Sequence, residues 1–175
     1  MNNPRYHQEW LQLEQEGSYF QQLLLQQTEA VLKRQPAPDK WSALQVIEHL
    51  VGVETAATHY LLRKNYTPLM PRGLPGPLRA FILMLALKSP LKFKAPAVEG
   101  LRPHNTSRPT ELLERWKAVR TKLAGYVEAL PADKQESLLF LHPLAGALSL
   151  RQTLQFMAAH MQHHRRQASA ALRQQ

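Results

Sequence analysis

The sequence predicts an all-α fold, a four-helix bundle with a long crossover between its second and third helices. Three observations carry that expectation. Apolar residues recur at helical spacing in four separate stretches, two of those stretches open on capping-box pairs, and no run of alternating β-branched residues competes with them. The 175 residues, 44% hydrophobic and 20% charged with 7 glycines and 13 prolines, fit one domain spanning residues 1–175.

The first helix is expected from about residue 5 to 34, where Trp10, Leu13, Phe20, Leu24 and Val31 follow one another at steps of three, four and seven. Pro36 and Pro38 end it. Ser42 with Gln45 forms a capping box, because the hydroxyl can accept from the third helical amide while the glutamine side chain reaches back. The second helix then runs to about Lys64, with an inward stripe of Val46, His49, Val53, Ala56 and Tyr60. Residues 65–108 break the periodicity and hold seven prolines, which marks a long connection with one short helix from Leu78 to Lys88. Pro109 suits a first helical turn, and Leu112, Trp116, Val119, Leu123, Val127 and Leu130 mark the third helix, ending near Pro131. Residues 131–148 are expected to be a loop. Ser149 with Gln152 repeats the capping box and opens the last helix, to about Leu172, with Leu150, Thr153, Met157, His160, His164 and Ala168 on one face.

Composition excludes several function classes. No cysteine is present, so disulfide scaffolds, cysteine-type zinc sites, iron–sulfur clusters and cysteine nucleophiles are ruled out, and any metal must be held by His, Asp or Glu. Gly73 and Gly76 lie among prolines without the strand and helix of a phosphate-binding loop, and no serine-nucleophile signature occurs. The formal charge of +9 favours anionic ligands. It is concentrated: between residues 65 and 108, seven basic residues face a single acid, Glu99, so this segment supplies +6 of the +9. Met1 to Glu16 is polar and glutamine-rich, without the basic start and apolar run of a secretory signal, which gives a cytoplasmic expectation. Leu78 to Leu87 is about half the ~20 apolar residues of a spanning helix, so no transmembrane segment is expected.

The eight histidines are the informative feature. At 100° per residue, His160 and His164 lie about 40° apart on one helix face with Cβ atoms roughly 6 Å apart, close enough for both rings to reach one ion. His49 is the other histidine on an inward stripe. Three imidazoles with an open position suit Zn²⁺, Ni²⁺ or Fe²⁺. Two alternatives stand beside this: inward histidines satisfied by core hydrogen bonds, and a pairing of His160 with His163. His142, in the loop before the last helix, is the candidate catalytic acid or base, against the surface placement usual for loop histidines. His7, His59 and His104 are expected to be exposed. Glu48 and Glu54 are expected on a solvated face rather than behind a ligand. Gln167 is placed to orient a ligand ring or to pack at the helix end, and Arg165 and Arg166 to clamp an anion or to offset the helix dipole. Trp10, Trp41 and Trp116 read as core or core-edge anchors.

The run Trp41-Ser42-Ala43-Leu44-Gln45-Val46-Ile47-Glu48-His49-Leu50 resembles the second-helix signature of the DinB/YfiT-like superfamily, in which a Trp-Ser step precedes the helix bearing the first metal histidine. His142-Pro143-Leu144-Ala145-Gly146, Ser149-Leu150, Phe156 and the run from His160 to Gln167 resemble that family's loop and last helix. The resemblance implies a four-helix bundle, often dimeric, with a metal site formed here by His49, His160 and His164, and with His163 at a position the family often fills with a non-ligating histidine. It also implies hydrolase-like chemistry or thiol-dependent S-transfer, since some relatives use bacillithiol, mycothiol or glutathione. Transfer needs no protein base, because the ion itself lowers the thiol pKa. The expectation is therefore a metal-dependent enzyme with a small anionic substrate, acting as a homodimer. The competing expectation is a non-catalytic module whose basic, apolar segment 65–108 meets an anionic membrane or, less readily, nucleic acid.

Overall fold

The computed structural model describes residues 3–70 and 101–173, and within them the fold is all-α apart from one small hairpin. A 3₁₀ turn, Pro4–Tyr6, leads into α1, His7–Gln26. The single first helix expected from about residue 5 to 34 is interrupted. Gln27 is extended, with φ −98° and ψ 147°, and the Thr28 hydroxyl accepts from the Val31 amide to start a separate short helix, α2, Glu29–Lys33. The hydroxyl offers the backbone a local alternative to continuing the helix, and the bend carries Leu32 into the core, fully buried.

The second bundle helix, α3, spans Ala43–Lys64, and both halves of its capping box form, each at 3.0 Å. It ends where Asn65 turns left-handed at φ 41°. The third, α4, Pro109–Ala129, carries its proline in the first turn. Its stripe of Leu112, Trp116, Val119, Leu123 and Val127 is buried throughout. The last, α5, Leu150–Arg173, opens on the Ser149–Gln152 pair, with reciprocal bonds of 2.9 and 3.3 Å. Because α3 ends at Lys64 and α4 begins at Pro109, the long crossover falls where the prolines put it. The short helix expected from Leu78 to Lys88 lies outside the described residues.

Residues 131–148 are more ordered than the expected loop. Strands β1, Leu138–His142, and β2, Gly146–Ser149, form an antiparallel hairpin in which Phe140 pairs with Leu148 and His142 with Gly146. A register shift between Leu138 and Phe140 breaks the alternation of faces, so Leu139 and Phe140 are both buried in succession. That bulge erased the period-two signal a strand would otherwise show.

In the bundle α1 packs along α5 and α3 along α4, with α3 also lying against α5. Trp116, Phe20, Leu13, Leu44, Ile47, Leu50 and Leu123 are fully buried in the one core they share. The deepest line of α3 is not the expected stripe. It runs through Ile47, Leu50, Glu54, Thr58 and Leu61; of the expected stripe Val46 is fully buried, while His49, Val53 and Tyr60 are half-buried and Ala56 is exposed. The stripe was displaced because Glu54, expected on a solvated face, is 1% exposed. Arg120 of α4 donates to both its oxygens, Nε to Oε1 at 2.6 Å and Nη2 to Oε2 at 2.9 Å, and the Trp116 indole donates to Oε2 at 2.9 Å. The remaining Arg120 arm reaches Glu14 on α1 at 2.8 Å.

Candidate metal centre

Helices α3 and α5 bring three histidines together. His49 Nε2 lies 3.4 Å from His160 Nε2, and His164 Nε2 lies 3.1 Å from the same atom. One ligand atom from each of the three lies within 4.8 Å of the others. The i, i+4 spacing delivers His160 and His164 from one face of α5, and the packing of α3 against α5 supplies His49.

The outer nitrogens determine what these inner ones can do. His49 Nδ1 is 3.3 Å from the Leu101 carbonyl oxygen, which can only accept, so Nδ1 carries the hydrogen and Nε2 is a bare lone pair. His164 Nδ1 donates to Gln167 Oε1 at 2.8 Å, which leaves its Nε2 bare as well. Both lone pairs face His160 Nε2, whose single hydrogen, if present, cannot satisfy both fully. Nitrogen ligands about 2.0–2.1 Å from a tetrahedral ion lie roughly 3.3–3.4 Å apart, close to the spacings found. The donor set and the two spacings therefore suit a divalent cation.

Electrostatics favour the neutral, ligating form. Burial holds His160 well below the usual imidazole range, and the neighbouring His164 and His49 push the same way. Burial brings His164 down to about 4, with His49 adding to the shift and the Gln167 bond partly opposing it. His49 is also lowered by burial, against the contrary pull of the Leu101 carbonyl. At neutral pH few protons compete for these nitrogens.

Aromatic rings wall the cluster. Trp41 stacks on His164 at 15° with centroids 6.3 Å apart and stands 5.2 Å from His49, so it serves the site as well as the core edge. Phe156, one turn before His160, stacks on that ring at 17° and 5.5 Å.

Other expected residues fall differently. His142 is not on the surface: it is 8% exposed, inside the hairpin turn, and its Nδ1 accepts from the Leu144 and Ala145 amides at 3.1 and 3.0 Å. Amides only donate, so the neutral ring keeps its hydrogen on Nε2, and burial lowers its pKa to about 4. Its ring meets the edge of Phe156 at 4.5 Å, which sets Phe156 between it and His160. His163 stands beside His164 at 5.2 Å, outside the three-histidine group. Arg165 lies 4.4 Å over the Tyr19 ring with Glu16 at 3.9 Å, engaged with α1, and Arg166 is exposed. His7, His59 and His104 are exposed as expected.

Sequence reasoning placed Glu48 in solvent, and this too is corrected. Its carboxylate is 8% exposed and accepts from four successive backbone amides, those of His104, Asn105, Thr106 and Ser107, at 2.7–3.1 Å. Burial alone would raise its pKa; the amide bonds, led by Ser107, outweigh it and hold the carboxyl below its ordinary value.

A scan against protein-family models matches the DinB superfamily over residues 12–168. The chain belongs to that superfamily, whose members are metal-binding. Searches of curated proteins and of solved structures found no match. Among the described residues, no helix is long and apolar enough to cross a membrane.

Proposed function

We propose that this protein is a divalent-metal-dependent enzyme of thiol-dependent S-transferase or hydrolase type, with His49, His160 and His164 as the ligands. The observation that carries the reading is the convergence of three Nε2 atoms, two of them held bare by oxygens on the opposite side of their rings. These three imidazoles would hold the ion, and the chemistry it would supply is Lewis acidity that makes a nucleophile of a water molecule or a low-molecular-weight thiol. The protein's own part is to fix those rings and to screen them with Trp41 and Phe156. Among the described residues no acidic side chain joins the three-histidine group, which supports an anionic co-substrate. For hydrolysis, His142 offers a hydrogen-bond donor only: with Nδ1 engaged by two amides the neutral ring has no lone pair for a base, and with its pKa lowered to about 4 it carries no extra proton to give as an acid. Thiol transfer needs no such group, which favours it.

Thermal shift of metal-loaded protein against bacillithiol, mycothiol, glutathione, simple carboxylates and phosphate esters separates the two chemistries. A ligand at 100 times its Kd adds about 2.7 kcal/mol of stability. Stabilisation by one thiol, absent in His164→Ala, is the expected result. Stabilisation by a carboxylate or phosphate ester with no response to any thiol assigns hydrolysis instead.

We propose in addition a homodimer, on the apolar run from Leu78 to Leu87 and the family resemblance. Sedimentation at micromolar concentration should give twice the 20.0 kDa chain mass, and a 20.0 kDa species would reject the dimer.

A further inference from the structure

We propose that Glu48 is a positioning residue for the metal centre: by pinning residues 104–107 against α3, it holds the Leu101 carbonyl where it fixes the His49 ring with Nδ1 protonated and Nε2 free for an ion. The inference rests on the metal-site reading above, although its central claim about the ring can be tested without metal.

Its physical basis is a chain of contacts along one side of α3. Glu48 and His49 are adjacent in sequence, so their side chains leave the helix about 100° apart and do different things. The His49 ring turns toward α5, while the Glu48 carboxylate gathers the chain that arrives from the crossover. Oε2 takes the amides of His104 and Asn105 at 2.9 and 2.7 Å, and Oε1 those of Thr106 and Ser107 at 3.1 and 2.9 Å. Four successive amides converging on one group need the left-handed turn at Asn105, φ 61°, which asparagine tolerates. Just upstream, Leu101 settles over Gly52, its Cδ2 3.6 Å from where a Cβ on that glycine would be. Its carbonyl then reaches His49 Nδ1 at 3.3 Å. A backbone carbonyl has no side chain to place it, so its position depends on the anchors on either side. Glu48 is the strongest among the described residues, because only an ionised carboxylate offers enough lone pairs for four amide donors. A glutamine there would turn an NH₂ group against two of them.

The test compares Glu48→Gln, Glu48→Asp and Asn105→Gly with wild type, each well below its melting temperature. Asn105→Gly loosens the same segment without touching the carboxylate. It keeps the left-handed backbone and all four amides, but loses the side-chain bonds to the Ser42 hydroxyl and the Lys33 carbonyl, 2.7 and 2.8 Å. Imidazole ¹⁵N shifts of metal-free protein report the His49 tautomer, and competition titration with Zn²⁺ alone reports affinity. In wild type His49 should be protonated at Nδ1. Glu48→Gln should move it toward the Nε2–H form and weaken Zn²⁺ binding about 10–100-fold, the range for groups that orient metal ligands. Asn105→Gly should melt earlier and move tautomer and affinity in the same direction as Glu48→Gln, but by less, because all four amides still reach the carboxylate. Glu48→Asp, which keeps the charge, should fall between and serves if the Gln variant does not fold. An unchanged His49 tautomer in both Glu48 variants overturns the proposal. Absence of Zn²⁺ binding by wild type would instead reject the metal reading, with the tautomer comparison still deciding the role of Glu48.

Discussion

Glu54→Ala is expected to destabilise the fold by about 3–5 kcal/mol, the range for removing one partner of a buried ion pair. The reason lies with what remains. Arg120 is 7% exposed and its guanidinium lies between the Trp10 and Trp116 rings, 5.9 Å from each, so it cannot turn out to water without disturbing the core. Burial disfavours the charge of Arg120, and Glu54 first, then Glu14, more than compensate, so its pKa stands above the usual arginine value. Without Glu54, two of its donor groups and the Trp116 indole lose their acceptor, and Glu14, 43% exposed, is a poorer counter-charge. For a domain of this size the loss corresponds to a melting-temperature drop of roughly 6–20 °C. Glu54→Leu combined with Arg120→Met should regain at least half of it, because removing both charges leaves none uncompensated. A Glu54→Ala protein melting within about 2 °C of wild type would contradict this account.

The second large effect is on metal content. Protein purified without chelator or histidine tag should carry close to one divalent ion per chain, and His160→Ala should weaken binding on the order of 100-fold or more, beyond the loss from a group that merely orients a ligand. His160 is the choice because its Nε2 is the atom that both other rings approach, at 3.4 and 3.1 Å. His7→Ala, exposed and remote in sequence, should leave occupancy unchanged. The metal assignment fails if a His49→Ala His160→Ala double variant retains wild-type occupancy. Loaded wild-type protein should also gain about 2.7 kcal/mol at an ion concentration 100 times Kd, a gain the double variant should lack.

Short-range patterns were enough to place most of the helices and the three histidines. Periodicity and capping chemistry act over three or four residues, so the boundaries of α3, α4 and α5 follow from Ser42 with Gln45, Pro109, and Ser149 with Gln152. The i, i+4 pair on α5 is equally local, and His49 came from its place on the helical stripe of α3, with which the motif resemblance agreed. Features made by residues far apart in the chain emerged only on folding. Glu54 looks solvated until Arg120 is brought to it from 66 residues away, and Glu48 until the amides of residues 104–107 close over it. The acceptor that sets the His49 tautomer is a backbone carbonyl 52 residues distant, which no side-chain pattern can announce. The break at Gln27 and the bulged hairpin belong with these, since local spacing favoured a continuous helix and a plain loop there. Local hydrogen bonds and one-sided burial are written in short sequence periods. Whether a carboxylate or imidazole can be buried is settled by the partner that offsets its desolvation, and only the folded chain brings that partner into reach.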